Sequence, residues 1–468
     1  MKLLDDDQVQ SFINFGFLEI RLPELDSIHS EVTSRLREVC EAESHHGNNV
    51  LPRIPLLQKV LRNDKIHGAL VSLIGPDYLL HPHRAIHRST PLRKALDGFS
   101  RSSDGHLMGD GSTATSIWHQ DAQSPLARDK IHGALVSLIG PDYLLHPHRA
   151  IHRSTPLRKA LDGFSRSSDG HLMGDGSTAT SIWHQDAQSP LARARHHFPK
   201  FLIGFYFPHE VTTEMGPTRF LIASHCDNGP DLNRAIYQPQ HIRAGTFFLA
   251  HFDIAHAGFP NVSDDDRFML KFVFARTKQP TEPTWNNEIA QWRTIDDTSS
   301  QQGLYEPAAS FIWNRMCGRI NTERDTVRMS HGVLQREVQQ DKRLRAIYGA
   351  TESLSVQDCV EALKSAQGKK KHERLQKNLR DSVRGYPIRW NERAVVMETA
   401  AYRLAFFGQE STDAVRSLIK FDDPWLQVNA AFIAGEIGIN DHELSRNVSK
   451  LLHSPYHQVV RQAIDALT

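Results

Sequence analysis

The chain lacks the features that mark several large classes of protein. Its 468 residues include only four cysteines, and these are widely scattered, so the sequence offers neither a disulfide framework nor a zinc knuckle. No apolar run approaches the length of a membrane-spanning helix. The formal net charge is only +1, which argues against nucleic acid or an anionic membrane as the main partner.

The N-terminus lacks the apolar segment of a secretion signal, because Asp5, Asp6 and Asp7 follow the first residues almost at once. With so few cysteines, this favours a reducing compartment, and we expect a cytoplasmic protein. A hydrophobic content of 39% and a charged content of 23% are ordinary for a globular chain. The length allows two or three domains.

An identical tandem repeat dominates the first half of the chain. Residues 64–128 match residues 129–193 at every position, so each copy has 65 residues. Old structural repeats keep only their packing positions, so this identity indicates a very recent duplication or an error in the assembled sequence. Without one copy, the 468-residue chain would have 403 residues.

A short His-x-Asp segment is the strongest chemical signal. Residues two apart on a strand project from the same face, so His184 and Asp186 are expected to bind one divalent metal together. His256 is the preferred third ligand, and His251 is its rival. Two histidines and one carboxylate on one side of an ion leave its other side open, as in mononuclear non-haem Fe(II) oxygenases.

The duplication provides an alternative pair of ligands, His119 and Asp121. We favour His184 and Asp186, because the apolar segment 201–207 follows them closely, whereas His119 is followed by the whole second copy. The helical segment upstream of His119, however, joins naturally to the N-terminal region. The sequence therefore leaves two ways to complete one barrel.

Hydrophobic periodicity predicts an α+β fold. The helices are expected at 6–16, 25–40 and 56–73, and the strands at 17–20, 78–83, 201–207, 219–222, 246–251 and 267–275. Strands at this spacing, separated by glycine and proline turns, are typical of a double-sheet jelly roll.

Three motifs together resemble those of a known family. They are Trp183–Asp186, Glu214–Thr218 with Ser224-His225, and His256-Ala257-Gly258 followed by Asn261 and Arg267. On these motifs, the first 275 residues or so resemble the phytanoyl-CoA dioxygenase-like family of Fe(II)/2-oxoglutarate oxygenases. The resemblance implies a double-stranded β-helix barrel with flanking helices, and Fe(II) bound through His184, Asp186 and His256. It also implies that 2-oxoglutarate and O2 are consumed, a small organic substrate is hydroxylated, and succinate and CO2 are released.

The same resemblance implies that Arg267 binds the far carboxylate of 2-oxoglutarate. Independent chemistry agrees, because an arginine offers a planar fork that stays charged and matches a carboxylate. The chain departs from the family at Gly245-Thr246, where members often have Gly-Asp, and at Gly258, where members often have a hydroxyl residue.

The C-terminal region contains a second, weaker repeat. Residues 400–408 resemble 430–438 and residues 424–428 resemble 455–459, at offsets of 30 and 31 residues. Such offsets are typical of HEAT-like helical hairpins, which commonly bind a protein partner. The sequence therefore predicts an oxygenase barrel over 1–280, a helical extension and linker over 281–387, and HEAT-like repeats over 388–468. The alternative function is a catalytically silent barrel that acts as an adaptor through its helical tail.

Overall fold

The computed structural model describes most of the chain outside the duplicated region. The described ranges are 1–43, 49–89, 183–186, 194–258, 261, 263–293, 303–319, 334, 340–349, 354–373, 397–439 and 441–467, with two-residue strands at 100–101, 107–108, 165–166, 172–173, 382–383 and 386–387. These residues form helices and antiparallel sheets, so the predicted mixture of the two is confirmed. The jelly roll, the HEAT-like repeats and the domain limits stay predictions.

The N-terminal helices are α1 (Asp6–Phe15), α2 (Asp26–Ala42), α3 (Leu57–Leu61) and α4 (Asp64–Ile74). The sequence predicted α3 and α4 as one helix, but the structure separates them at Arg62 and Asn63. The Asn63 side chain accepts a hydrogen bond from the Lys65 amide, so it caps α4 and begins a new helix. The capping hydrogen bond outweighs the continuous apolar pattern on which the longer helix was predicted.

The labelled strands are β1 (Phe17–Arg21), β2 (Leu79–Ser89), β3 (Phe201–Phe207), β4 (Val211–Thr212), β5 (Arg219–Leu221), β6 (Ile236–Tyr237), β7 (His241–Ile242), β8 (Thr246–His251), β9 (His256–Ala257) and β10 (Arg267–Ala275). A five-stranded sheet has the order β1-β8-β3-β10-β2, and a three-stranded sheet has the order β6-β5-β9. Strands β7 and β4 form a separate pair. The pairings of these strands are antiparallel.

An apolar cluster, here called the inner cluster, fills the space between these sheets. Its buried members are Phe201, Ile203, Phe205, Phe207, Val211, Met215, Phe220, Ile242, Phe248, Ala250, Phe252, Ile254, Met269, Val273 and Ala275. Side chains alternate along a strand, so the other face of β10 packs outward through Phe268, Leu270, Phe272 and Phe274. The sheets therefore enclose a core that they share, and residues of odd number on β10 face it.

The described fold uses parts of both copies of the duplication. Helix α4 and strand β2 come from the first copy, and β2 pairs along β10 from Arg267 to Ala275. Segment 183–186 comes from the second copy and lies against β9. The backbone of Ser100–Arg101 pairs with Leu107–Met108, and the equivalent pairing joins Ser165–Arg166 to Leu172–Met173 in the second copy.

The C-terminal part is helical. Its helices are α5 (Glu306–Met316), α6 (Gln340–Tyr348), α7 (Val356–Glu373), α8 (Thr399–Phe407), α9 (Thr412–Leu418), α10 (Pro424–Ile437), α11 (His442–Lys450) and α12 (His457–Leu467). Helix α10 packs against both α8 and α12, and α9 packs against α11. The segments that the sequence matched, 400–408 and 430–438, largely fall in α8 and α10. Within the described part of the chain, no helix is long and apolar enough to cross a membrane.

Candidate metal centre

Two histidines from distant parts of the chain face each other across a backbone bridge. The amide of His184 donates to the carbonyl oxygen of His256 at 3.1 Å, and the amide of His256 donates back at 2.9 Å. Residues directly opposite each other in an antiparallel pair carry their side chains on the same face. The two imidazole rings accordingly lie with their centroids 4.3 Å apart.

The carboxylate of Asp186 completes a group of three donors. One nitrogen of each imidazole and one oxygen of Asp186 all lie within 4.8 Å of one another. The distance from His256 Nε2 to Asp186 Oδ2 is 3.7 Å. Two imidazole nitrogens and a carboxylate oxygen at this spacing fit a single divalent transition metal. His256 is buried and His184 is exposed, so the group opens to one side.

The charges around these donors favour their metal-binding forms. Burial raises the pKa of Asp186, but the cations of Lys271, His256 and His184 outweigh burial and hold that pKa well below its usual range. Burial, followed by the charge of His184, lowers the pKa of His256 to about 3. Near neutral pH, Asp186 is therefore ionised and His256 is neutral, and these are the forms that bind a metal.

Gln185, between two of the donors, is buried and anchors their segment. Its side-chain amide nitrogen donates to the carbonyl oxygens of Asp253 at 2.8 Å, Ser224 at 3.1 Å and Asp227 at 3.2 Å. Asp253 lies in the loop that leads into His256. One side chain therefore ties the segment of His184 and Asp186 to the loop that carries the third donor, which sequence reasoning missed.

Ser224 has a related positioning role. Its hydroxyl donates to the carbonyl oxygen of Leu221 at 2.7 Å and accepts from the amide of Ala255 at 2.9 Å. This joins the end of β5 to the residue next to His256. The Ser224-His225 motif was recognised in the sequence only as part of a resemblance, and the structure supplies a physical reason for its serine.

Lys271 was also missed, and it lies closest to the donors. Its ammonium donates to Asp186 Oδ2 at 2.7 Å, although the side chain belongs to the middle of the apolar strand β10 and is buried. A single charged residue within Phe268–Ala275 was the available signal, because burying a lysine is costly without a partner.

Arg267 begins β10 on the same face as Lys271, since the two are four residues apart. Its Nη1 donates to the carbonyl oxygen of Met215 at 3.1 Å. A Cβ placed on Gly258 would lie 3.2 Å from Arg267 Nη2, so the guanidinium lies beside the residue two positions after His256. Burial lowers the pKa of Arg267 to about 10, so it stays charged at neutral pH.

The remaining predicted site residues have other positions. His251 is buried, accepts a hydrogen bond from the Asp253 amide at 3.1 Å and has its ring centroid 5.0 Å from that of His225, and it is not part of the three-donor group. Asn261 donates to the carbonyl oxygen of Asp265 at 2.7 Å and shapes the turn before β10. His119 and Asp121 lie outside the described residues.

Neither comparison of the sequence with known proteins gives a match: no family model matches it, and no curated protein matches it. Solved structures match at low similarity. HygX from Streptomyces hygroscopicus, with nickel and 2-oxoglutarate bound, is 12% identical, with 62% of this chain and 93% of that chain covered and a TM-score of 0.30. The epimerase SnoN, in complex with Fe3+, alpha-ketoglutarate and nogalamycin RO, is 13% identical, with 64% and 93% covered and a TM-score of 0.32. The alpha-ketoglutarate-dependent carbocyclase SnoK from nogalamycin biosynthesis is 13% identical, with 58% and 84% covered and a TM-score of 0.32. At this similarity, any function must be argued from the chain's own residues.

Proposed function

We propose that this protein is an Fe(II)- and 2-oxoglutarate-dependent dioxygenase that hydroxylates a small organic substrate and releases succinate and CO2. The observation that carries the proposal is the group of two imidazole nitrogens and one carboxylate oxygen within 4.8 Å of one another. We assign the sheets around it to a double-stranded β-helix, the jelly roll expected of such an enzyme.

In this proposal His184, Asp186 and His256 hold the iron. Bound Fe(II), together with O2 and 2-oxoglutarate, supplies the oxidising chemistry. The protein's part is to present three ligands from one side, so that the other side stays free for the cosubstrate. The ionised Asp186 and the neutral His256 provide donors that need no proton removed before the metal binds.

Arg267 is the proposed partner of the far carboxylate of 2-oxoglutarate. It faces the side of β10 that the inner cluster lines, and its guanidinium lies beside Gly258. A planar fork on a carboxylate fixes orientation as well as charge. The glycine leaves the guanidinium uncovered by a side chain at that position, which supports a role in binding rather than in packing.

Aromatic side chains limit water on the buried side of the group. The ring of Phe205 lies edge-on to His256 with centroids 5.0 Å apart, and Phe220 lies 6.5 Å away. Both belong to the inner cluster. An apolar wall of this kind strengthens electrostatic interactions at the donors and excludes solvent from one side of the substrate.

The adaptor function is not favoured, because the donor group is complete and the tail faces the barrel. Glu436 of α10 and Asp465 of α12 both bind His196, just before β3. These buried contacts occupy a surface of the helical tail that an outside partner would otherwise use.

Metal binding and 2-oxoglutarate turnover test the proposal directly. The full-length protein is purified without oxygen, loaded with Fe(II) and assayed for succinate release with lipid, amino-acid and natural-product substrates. We expect His184→Ala and Asp186→Ala to abolish metal binding and succinate release. The matched controls are His119→Ala and Asp121→Ala, which make the same changes in an identical local sequence and are expected to keep both. A dead His119 variant would assign the site to the first copy, and wild-type protein that binds no metal would end the oxygenase proposal.

A further inference from the structure

Lys271 places a second cation at the metal centre. Its Nζ lies 2.7 Å from Asp186 Oδ2, and its side chain is only 6% exposed. The ammonium also lies 5.4 Å from the centroid of the Phe205 ring, an arrangement in which a cation is attracted by the face of the ring. A buried lysine is stable only when its charge is compensated, and here the compensating group is a proposed metal ligand.

The same carboxylate oxygen is approached from two sides. His256 Nε2 lies 3.7 Å from Asp186 Oδ2, and Lys271 Nζ lies 2.7 Å from it. A metal held by His184, Asp186 and His256 would therefore share its carboxylate with an ammonium group. The ammonium withdraws negative charge from the ligand and repels a second cation nearby.

We propose that Lys271 is the internal counter-ion of Asp186. It compensates the carboxylate in the metal-free protein and weakens the affinity of the centre for its metal, so that it sets the strength of metal binding. This inference rests on the proposed function only in requiring that the three donors bind a divalent metal.

An ordinary structural ion pair would behave differently. Removing a pair that only holds the fold would destabilise the metal-free and the metal-bound protein alike and would not tighten metal binding. A competing counter-ion gives opposite signs: its loss destabilises the metal-free protein, because Asp186 is left buried without its cation, and it increases metal affinity, because the ligand regains its full charge.

The experiment measures Mn(II) affinity and thermal melting on the full-length chain. Mn(II) is a redox-stable probe that accepts the same imidazole and carboxylate ligands. Lys271→Gln keeps a hydrogen-bond donor without charge, and Lys271→Met removes both. We expect the metal-free Tm of each to fall by several degrees and the Mn(II) Kd of each to fall roughly ten-fold or more.

The matched controls are Lys278→Gln and Lys278→Met, which change an exposed lysine paired with Asp77 and should leave both measurements unchanged. If wild type binds Mn(II) and both Lys271 variants bind it equally or more weakly, the counter-ion proposal is overturned while the proposed function stands. If wild-type protein binds no Mn(II), both fail. The more conservative Lys271→Gln serves if Lys271→Met does not fold.

Discussion

At the scale of single residues, β10 shows how a strand places charge inside a barrel. Arg267 and Lys271 share the face of the strand that carries Met269 and Val273 of the inner cluster. One cation lies beside Gly258, and the other binds Asp186. Two cations on one inward face suit a centre that must hold a dianionic cosubstrate as well as a metal.

Arg267→Lys is expected to weaken 2-oxoglutarate binding while metal binding survives. Lysine keeps the charge but loses the planar fork, so the apparent affinity should fall about ten-fold or more, on the order of 1.5–3 kcal/mol for a charge-assisted hydrogen bond. The measurement is the 2-oxoglutarate concentration dependence of succinate release, with Mn(II) affinity as the control. An unchanged concentration dependence would remove Arg267 from the cosubstrate site.

At the scale of elements, segment 183–186 is short and depends on its neighbours for position. Two backbone hydrogen bonds join it to β9, and the side chain of Gln185 joins it to three carbonyl groups. Trp183 adds a packing contact, because the guanidinium of Arg219 lies 4.9 Å from its ring centroid. The geometry of the donors is therefore a property of several elements together.

Gln185→Met is expected to weaken metal binding and to lower stability. Methionine fills a similar volume but leaves the three buried carbonyl groups without this donor, which costs about 1–3 kcal/mol. Thermal melting and Mn(II) titration measure the two effects. Gln58→Met, at an exposed position of α3, is the control and should change neither. Full metal affinity in the Gln185 variant would show that the backbone bridge alone positions the donors.

At the scale of the whole molecule, a buried ionic network joins the sheets to the helical tail. His196 binds Glu436 through Nδ1 at 2.7 Å and Asp465 through Nε2 at 3.0 Å. Lys200 also binds Asp465 at 2.9 Å, and Arg315 binds Glu436. A break at His196 would leave two carboxylates with less compensation, so the network couples the docking of α10 and α12 to one ring.

The stability contributed by His196 should depend on pH. Burial lowers its pKa, but the carboxylates of Asp465 and Glu436 outweigh burial and raise it to about 9. A folded-state pKa above the unfolded value of roughly 6.5 stabilises the fold fully below that value, and the contribution is lost as pH rises through about 9. His196→Gln should therefore cost up to about 3 kcal/mol near pH 6 and progressively less towards pH 10.

Thermal melting of both proteins from pH 6 to pH 10 measures this difference. His241→Gln is the control, because His241 pairs with Glu210 at an exposed site and should show a small difference. A wild-type advantage that stays constant across the range would show that packing rather than charge holds the tail.

Deletion of residues 64–128 should give a 403-residue protein that folds, binds one metal ion and is at least as stable as the 468-residue chain. Because the copies are identical, the shortened chain keeps one α4, one β2 and one His-x-Asp segment in the order that the described fold uses. A surplus segment with no sheet of its own invites misfolding and proteolysis.

Metal stoichiometry and thermal melts of both chains measure the effect of the deletion. An insoluble 403-residue protein, or two metal ions in the 468-residue chain, would give the second copy a structural role.

Local patterns in the sequence determined much of the secondary structure. The apolar run from Phe201 to Phe207 and the strand from Arg267 to Ala275 are present as predicted, because burial on a sheet leaves a direct trace in residue type. His184, Asp186 and His256 were also chosen from spacing alone, and the structure brings them together. Their roles as ligands, and that of Arg267, stay predictions.

Only the tertiary structure decided which copy supplies which part. Identical sequences have identical local preferences, so nothing within residues 64–193 distinguishes one His-x-Asp pair from the other. Position along the chain does: α4 follows the N-terminal helices, and segment 183–186 precedes β3 closely enough to pair with β9. The contacts of Lys271 and Gln185 were hidden for the same reason, since each partner is distant in sequence and is brought near only when the sheets pack.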